Sequence, residues 1–214
     1  CIGWVPRGIK QSLLTNNNNA ADWLPASYTE SQELIWFRDH FISAQFVLAS
    51  WEGCTLGDSD RLKLLADKLR AAQSEDGQTL FSKVLTGPEM IEVLTRPPAR
   101  LGSRAAVERL EGALIGPPQP DSDSYDPERP DLSRTTCLVV FLSDYSTENN
   151  RRMRAAVDAI HQYAIEECGL KDERGESLLR LGGPPVDNVT IDIEGEKTLA
   201  RLAVFSGIVG LGLA

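Results

Sequence analysis

The sequence predicts an α+β fold in which two strand–helix–strand units follow one another along the chain. In the first unit, apolar runs at residues 45–51 and 79–86 flank a segment whose apolar residues recur at helical spacing. In the second unit, the apolar run at residues 136–144 and the sequence SLLRLGG flank a longer segment of the same kind, about residues 150–168. The unbroken apolar character of residues 136–144 indicates a strand that is covered on both faces or central in the sheet.

Both predicted helices carry signals at their ends. Asp58 or Ser59 can accept hydrogen bonds from the free amides at the start of the first helix. Gly169 follows the second helix, where a left-handed glycine commonly ends one. One face of each helix is apolar, formed by Leu62, Leu65, Ala66 and Leu69 in the first and by Met153, Val157, Ile160 and Ala164 in the second.

The stretch between the two units, residues 97–134, is rich in proline. It contains more than half of the 12 prolines and one predicted helix at residues 103–114. Proline fixes φ and lacks a backbone donor, so GPPQPDSDSYDPERP is not compatible with a central strand or a helix interior. We therefore predict an exposed insertion.

Two tandem units with an insertion between strands two and three fit the split βαβ arrangement of ferredoxin-like folds. In that topology the first and third strands are antiparallel neighbours. Cys54 lies just past the first predicted strand and Cys137 at the start of the third. We predict that the two approach the separation found in disulfides, about 5.5–6 Å between Cα atoms. Two unpaired, buried thiols are the alternative.

The N-terminal segment, residues 1–44, combines a turn-forming stretch with a helix. TNNNNAADWLP favours turns, and Ser27 or Thr29 can cap a helix through ESQELIWFRDHF. Trp4 and Trp23 are suited to the level of lipid headgroups. Packing of the same two rings on the domain core explains them equally well.

The C-terminal segment is ambiguous. Val189, Ile191 and Ile193 alternate as in a strand, whereas the apolar residues from Leu199 onward recur as in a helix. The final run LAVFSGIVGLGLA, residues 202–214, has no charge. It is shorter than the roughly 20 apolar residues that cross a bilayer, although its composition is tolerated in membrane helices.

Composition and spacing exclude several classes of function. The formal charge of -9 without clustered Lys or Arg argues against a nucleic-acid partner. The 4 cysteines show no CxxC spacing and the 2 histidines lie far from them in sequence, so no metal site is expected. No nucleotide-binding or GxSxG motif occurs, so we assign no cofactor and no catalytic residue. Residues 1–10 lack the apolar core of a signal peptide.

Two groups of residues could form a catalytic site, but ordinary structural roles explain both better. Cys54 precedes a helix start, but only His40 and His161 could serve as its base, and His161 is better explained as a partly buried, hydrogen-bonded residue. The carboxylate pairs Asp121 with Asp123 and Glu166 with Glu167 fall in a loop and at a helix end, where solvated surface is the usual role.

Several motifs, taken in order, resemble the first extracytoplasmic domain of resistance-nodulation-division (RND) exporters, in particular the MMPL-like branch. They are NNNNAADWLP, WFRDHF, FVLASWEGCT, CLVVFLSD and LRLGGPPVDN ahead of an apolar helix. The resemblance implies a membrane-proximal segment at residues 1–44 and a porter-type domain at residues 45–195, with its insertion at residues 97–134. Residues 196–214 would then begin a truncated transmembrane helix.

On this resemblance, the chain is expected on the periplasmic side of a bacterial inner membrane, between two spanning helices. It would help form a path for hydrophobic or amphiphilic molecules such as lipids and drugs, without enzymatic activity of its own. Its partners would be the rest of the transporter, a second similar domain and the bilayer, with a homo-oligomer as a further option. Proton flow through carboxylates in other membrane helices would drive export.

A periplasmic ligand-binding or sensor module, anchored by a single C-terminal helix, is the alternative. Both interpretations need residues 202–214 to enter a membrane, and they differ in the number of spanning segments around the domain. An unrelated hydrolase is a third class, which esterase and phosphatase assays would reveal.

Overall fold

The structure, a computed structural model, describes residues 25, 27–40, 45–118 and 130–212. Short 3-10 turns at Leu56–Asp58 and Pro130–Ser133 accompany the main elements. In chain order these elements are α1 (Thr29–His40), β1 (Phe46–Ser50), α2 (Ser59–Ala71), β2 (Phe81–Thr86), α3 (Gly87–Thr95), α4 (Ser103–Leu110), β3 (Ile115–Pro118), β4 (Arg134–Thr136), β5 (Leu138–Leu142), α5 (Asp144–Thr147), α6 (Asn150–Glu166), β6 (Arg180–Gly182) and α7 (Pro184–Gly212).

Four strands form one sheet in the order β2-β5-β1-β6, and all neighbouring strands are antiparallel. Ala49 of β1 lies opposite Leu138 of β5. The prediction that the first and third strands are antiparallel neighbours is therefore confirmed. The third strand is central in the sheet, which is one of the two alternatives that its apolar sequence indicates. With its helices, the described chain has a mixed α+β fold built on a four-stranded antiparallel sheet.

Helices α2 and α6 cover one face of this sheet and complete the main core. Alternate strand residues point to this face because successive side chains of a strand lie on opposite sides. Val47, Ala49, Leu138 and Val140 are each 0% exposed. The predicted apolar faces of both helices are buried, and each leucine of α2 on this face stabilises the fold by about 2 kcal/mol.

The helices end as the capping signals in the sequence indicate, except at the start of α2. The Asn149 side chain accepts a first-turn amide of α6 at 3.0 Å, and Gly169 (φ 65) follows α6 in the left-handed conformation. Asp58 occupies the N-cap position of α2 without capping it. Its carboxylate instead accepts the Trp51 indole N–H at 3.2 Å. Ser59 is the first residue of the helix, so neither predicted side-chain cap forms.

The insertion between β2 and β5 buries part of its own surface. The predicted helix at residues 103–114 ends earlier, at Leu110, because a turn with Gly112 at φ 79 follows it and leads into β3. β3 pairs with β4 as a second, two-stranded sheet. Much of the stretch predicted to be exposed, residues 119–129, lies outside the described residues. The insertion is not wholly exposed, since a small apolar cluster consists of Leu56, Val107, Leu110 and Ile115.

Helix α3 follows β2 directly, where Gly87 and Pro88 were expected only to end the strand. The Thr86 hydroxyl accepts the Glu89 amide at 3.3 Å, and proline stands in the first turn. The sequence TGPE carries this capping pattern, so the helix start could have been identified from it.

Helix α7 corrects the strand interpretation of Val189, Ile191 and Ile193. These residues are helical, since α7 runs from Pro184 to Gly212. Val189 is 7% exposed and Ile191 52% exposed, as expected when neighbours two positions apart lie on different sides of a helix. The helix also passes residue 195, the expected domain boundary, without a break.

Candidate functional site

The most distinctive surface is the distal part of α7, from residue 199 to the end of the helix at residue 212. Near its start, Val186, Val189 and Ile193 pack against the main core at helical spacing. From residue 194 to residue 206 every residue is exposed. Helix α7 therefore packs along its first turns against the rest of the described chain, which we call the body. Its later turns extend beyond the body.

The distal part of α7 carries apolar side chains on all sides. Leu199, Leu202, Val204 and Phe205 are 47%, 56%, 64% and 66% exposed. Measured from Leu199 at about 100° per residue, the other three lie at about 300°, 140° and 240° around the helix axis. A helix packed on a protein surface has one apolar stripe, whereas a helix that is apolar all round belongs in an apolar environment.

A group of polar contacts, which we call the polar collar, lies on α7 between its distal part and the body. Arg154 of α6 pairs with Glu196 at 3.4 Å, and the Asn150 side-chain amide donates to the Asp192 carboxylate at 2.6 Å. Lys197 pairs with Glu194 at 2.7 Å within α7. These contacts hold the middle of α7 beside α6. Among the described residues, no helix has an apolar stretch long enough to span a bilayer.

A second apolar surface is the face of the sheet opposite to α2 and α6. Phe46 and Leu48 of β1 point to this side and are 36% and 39% exposed. Phe141 lies opposite Phe46 across the strand pair, and their ring centroids are 6.1 Å apart. Val139 and Leu85 continue the same face on β5 and β2. We call this the open sheet face.

Two cations lie on the outer strands of the open sheet face. Lys83 of β2 is opposite Phe141, and Arg180 of β6 is opposite Ser50. Both residues are exposed. The face therefore combines an apolar centre with positive charge on two sides, which suits a molecule or segment with an apolar body and an acidic group.

Cys54, Cys137 and Cys168 are free thiols in the structure. Burial raises the pKa of the Cys54 thiol to about 12, so it is protonated at neutral pH. Burial also raises the pKa values of Cys137 and Cys168. These shifts oppose the thiolate that cysteine catalysis requires. The Cys54–Cys137 disulfide stays a prediction.

His161 is half-buried in α6, as predicted, but its Nδ1 is buried without a hydrogen-bond partner among the described residues. The predicted hydrogen bond is therefore not found at this atom. Burial lowers the pKa of His161, and the nearby Asp158 carboxylate opposes that shift. The side chain of the other candidate base, His40, lies outside the described part of the structure.

The predicted carboxylate pairs do not form an acid–base site in the described residues. Glu167 pairs with Lys68 at 2.7 Å, and Glu166 accepts the Gln162 side-chain amide at 3.0 Å. Asp121 and Asp123 lie outside the described residues, as do Trp4 and Trp23. Within the described ranges, no group of three His, Cys, Asp or Glu could hold a metal ion.

Sequence reasoning identified the apolar C-terminal run but missed the open sheet face. The signal was present in FVLAS, where every residue of β1 except the last is apolar. Such a run predicts a strand without showing which face the helices leave uncovered.

No protein-family model matches the chain, and no match was found among curated proteins or solved structures. Function is therefore inferred from the geometry of the chain itself.

Proposed function

We propose that this chain is an extracytoplasmic domain of a proton-driven RND exporter of the MMPL-like type. The observation that carries the proposal is the change along α7 from an apolar stripe to an apolar surface on all sides. On this proposal, the distal part of α7 enters the inner membrane of a bacterium while the body stands on the periplasmic side.

We further propose that the body is a ferredoxin-like split βαβ domain. The sheet order, with β1 and β5 central and β2 and β6 outside, supports this assignment. So do the two crossover helices, α2 between β1 and β2 and α6 between β5 and β6. The insertion, expected at residues 97–134, elaborates the connection between the second and third strands of that topology.

Transfer of the distal part of α7 into hydrocarbon is favourable for its exposed side chains. Leu202, Val204 and Phe205 are more than half exposed. Burying each stabilises the inserted state by about 1.5–3 kcal/mol. Residues 202–214 contain no charged side chain that would oppose insertion. Arg201, which directly precedes this uncharged run, is then suited to the membrane surface, where long cationic side chains extend to the headgroups.

The role proposed for the body is to line a path for amphiphilic molecules. The open sheet face offers apolar contact through Phe46, Leu48 and Phe141, with Lys83 and Arg180 nearby for an anionic group. We assign no cofactor and no catalytic residue, because the domain would act by moving relative to its partner domain.

Vesicle flotation tests the membrane part of the proposal. The 214-residue chain should float with vesicles of phosphatidylethanolamine and phosphatidylglycerol. The double substitution Leu202→Glu and Phe205→Glu should lower the floating fraction at least about tenfold, since each buried carboxylate costs about 2.5–3.5 kcal/mol. Leu178→Glu, at an exposed leucine of the body, is the matched control and should float like the parent. Equal flotation of the parent and the double variant would contradict the proposal.

Dye efflux tests the path. Cells that produce the full-length protein should expel the lipophilic dye Nile red, and Leu48→Glu should reduce efflux at least several-fold. Leu178→Glu should leave efflux unchanged. Both variants should show the parent's melting temperature, because both side chains are partly exposed. Membrane insertion without any dye efflux would favour the alternative, a sensor or binding module with a single anchor.

A further inference from the structure

The register of the central strand pair brings Cys137 beside the end of β1. Leu48 pairs with Val139 and Ala49 with Leu138, so one further step places Ser50 opposite Cys137. Directly opposite residues in an antiparallel pair have Cβ atoms about 4.5–5.5 Å apart. Cys137 therefore lies across from Ser50 on the open side of the sheet.

The chain then turns and brings Cys54 back to the same strand. The Cys54 amide donates to the Trp51 carbonyl at 3.1 Å, and Gly53 in this turn has φ 81. Beyond the turn, the Thr136 amide donates to the Cys54 carbonyl at 3.0 Å. The backbone of Cys54 is thus hydrogen-bonded to the residue that immediately precedes Cys137.

Both cysteines lie near Ser50. Its hydroxyl donates to the Thr136 carbonyl at 3.1 Å, and its side chain lies near the Cys54 thiol. Cys54 therefore approaches Ser50 from the turn while Cys137 approaches it from β5.

We propose that Cys54 and Cys137 form a reversible disulfide that fastens the end of β1 to the start of β5. The co-reactant is a low-molecular-weight or protein disulfide. One thiolate attacks the external disulfide and forms a mixed disulfide, releasing the first thiol. The thiolate of the other cysteine then attacks the Sγ of the first cysteine in this mixed disulfide and releases the second external thiol, so two cysteine thiols are oxidised and one external disulfide is reduced to two thiols.

The order of attack follows from exposure. Cys54 is 1% exposed, whereas Cys137 is only partly buried. An external disulfide therefore reaches Cys137 first, and Cys54 completes the bond from inside. Cys168 is the less suitable partner, since it follows α6 and lies among Arg61, Glu167 and Lys68. The proposal does not depend on the exporter function.

Tryptic mapping tests the pairing without any substitution. Cleavage after Arg and Lys places Cys54, Cys137 and Cys168 on separate peptides, residues 39–61, 135–151 and 155–171. After treatment of the folded chain with glutathione disulfide, the first two peptides should be joined and should separate on reduction. Linkage of Cys54 or Cys137 to another cysteine, or alkylation of both as free thiols after this treatment, would overturn the proposal.

Thermal unfolding supplies a second readout. The bond would close a long loop around the insertion, so oxidation should raise the Tm by roughly 5–15 °C. The rise should persist in Cys168→Ser and vanish in Cys54→Ala and Cys137→Ala. A rise of the same size in either alanine variant would show that another pair is responsible.

Discussion

At the scale of single residues, Gly183 fixes the point where α7 leaves the sheet. It has φ 119, and a Cβ at this position would lie 2.5 Å from the Phe46 carbonyl oxygen. That oxygen belongs to the backbone of a central strand and cannot move aside without disturbing the sheet. Glycine is therefore required both for its conformation and for the close approach.

Gly183→Ala should lower the free energy of unfolding by about 3 kcal/mol, because overpacking and backbone strain add. Urea unfolding measures the change. Gly195→Ala is the control, since a Cβ at this position of α7 would meet nothing within 4 Å beyond its chain neighbours and the backbone of its own helix. That variant should be neutral or more stable by up to about 1 kcal/mol. Similar losses in both variants would refute the role of Gly183.

His161 gives a pH-dependent prediction at the same scale. Burial lowers the pKa of His161 below its usual value of about 6.5, so the unfolded chain binds a proton more readily. The stability from neutral His161 is present above that value and is lost as the pH falls through the folded-state pKa. The Tm of the parent should therefore fall more between pH ~7.5 and ~5.5 than the Tm of His161→Gln. Parallel Tm profiles would contradict this prediction.

At the scale of elements, α7 has two environments within one helix. Val189 and Ile193 lie four positions apart, as residues on one side of a helix do. Together with Ile191 between them, they also show the alternation of a strand. Sequence reasoning could not separate the two patterns, because both periods fit three apolar residues at spacing two. Packing against the core decides in favour of the helix.

Shortening a side chain should change the free energy of unfolding by different amounts on the two sides of α7. Val189→Ala removes a side chain that is 7% exposed and should cost about 1–2 kcal/mol. Ile191→Ala removes one that is 52% exposed and should change stability by less than about 0.5 kcal/mol. Chemical denaturation of both variants provides the comparison, and a larger loss for Ile191 would mean that the helix packs on its other side.

At the scale of the whole molecule, much of the sheet could be predicted from the order of its elements. Tandem strand–helix–strand units permit few topologies, and in the predicted split βαβ arrangement β1 lies beside β5. The small cluster around Ile115 could not be predicted, since it depends on a turn at Gly112 that folds the insertion back. The open sheet face also escaped prediction, because both sides of β1 are apolar.

We propose that the distal part of α7 lies in the membrane while the body remains outside. Trypsin treatment of vesicles carrying the floated chain tests it most directly, since Arg201 is the last cleavage site. The account predicts that residues 202–214 stay with the vesicles while peptides of the body are released into solution. Recovery of residues 202–214 in the soluble fraction, or retention of the body on the vesicles after cleavage, would contradict it.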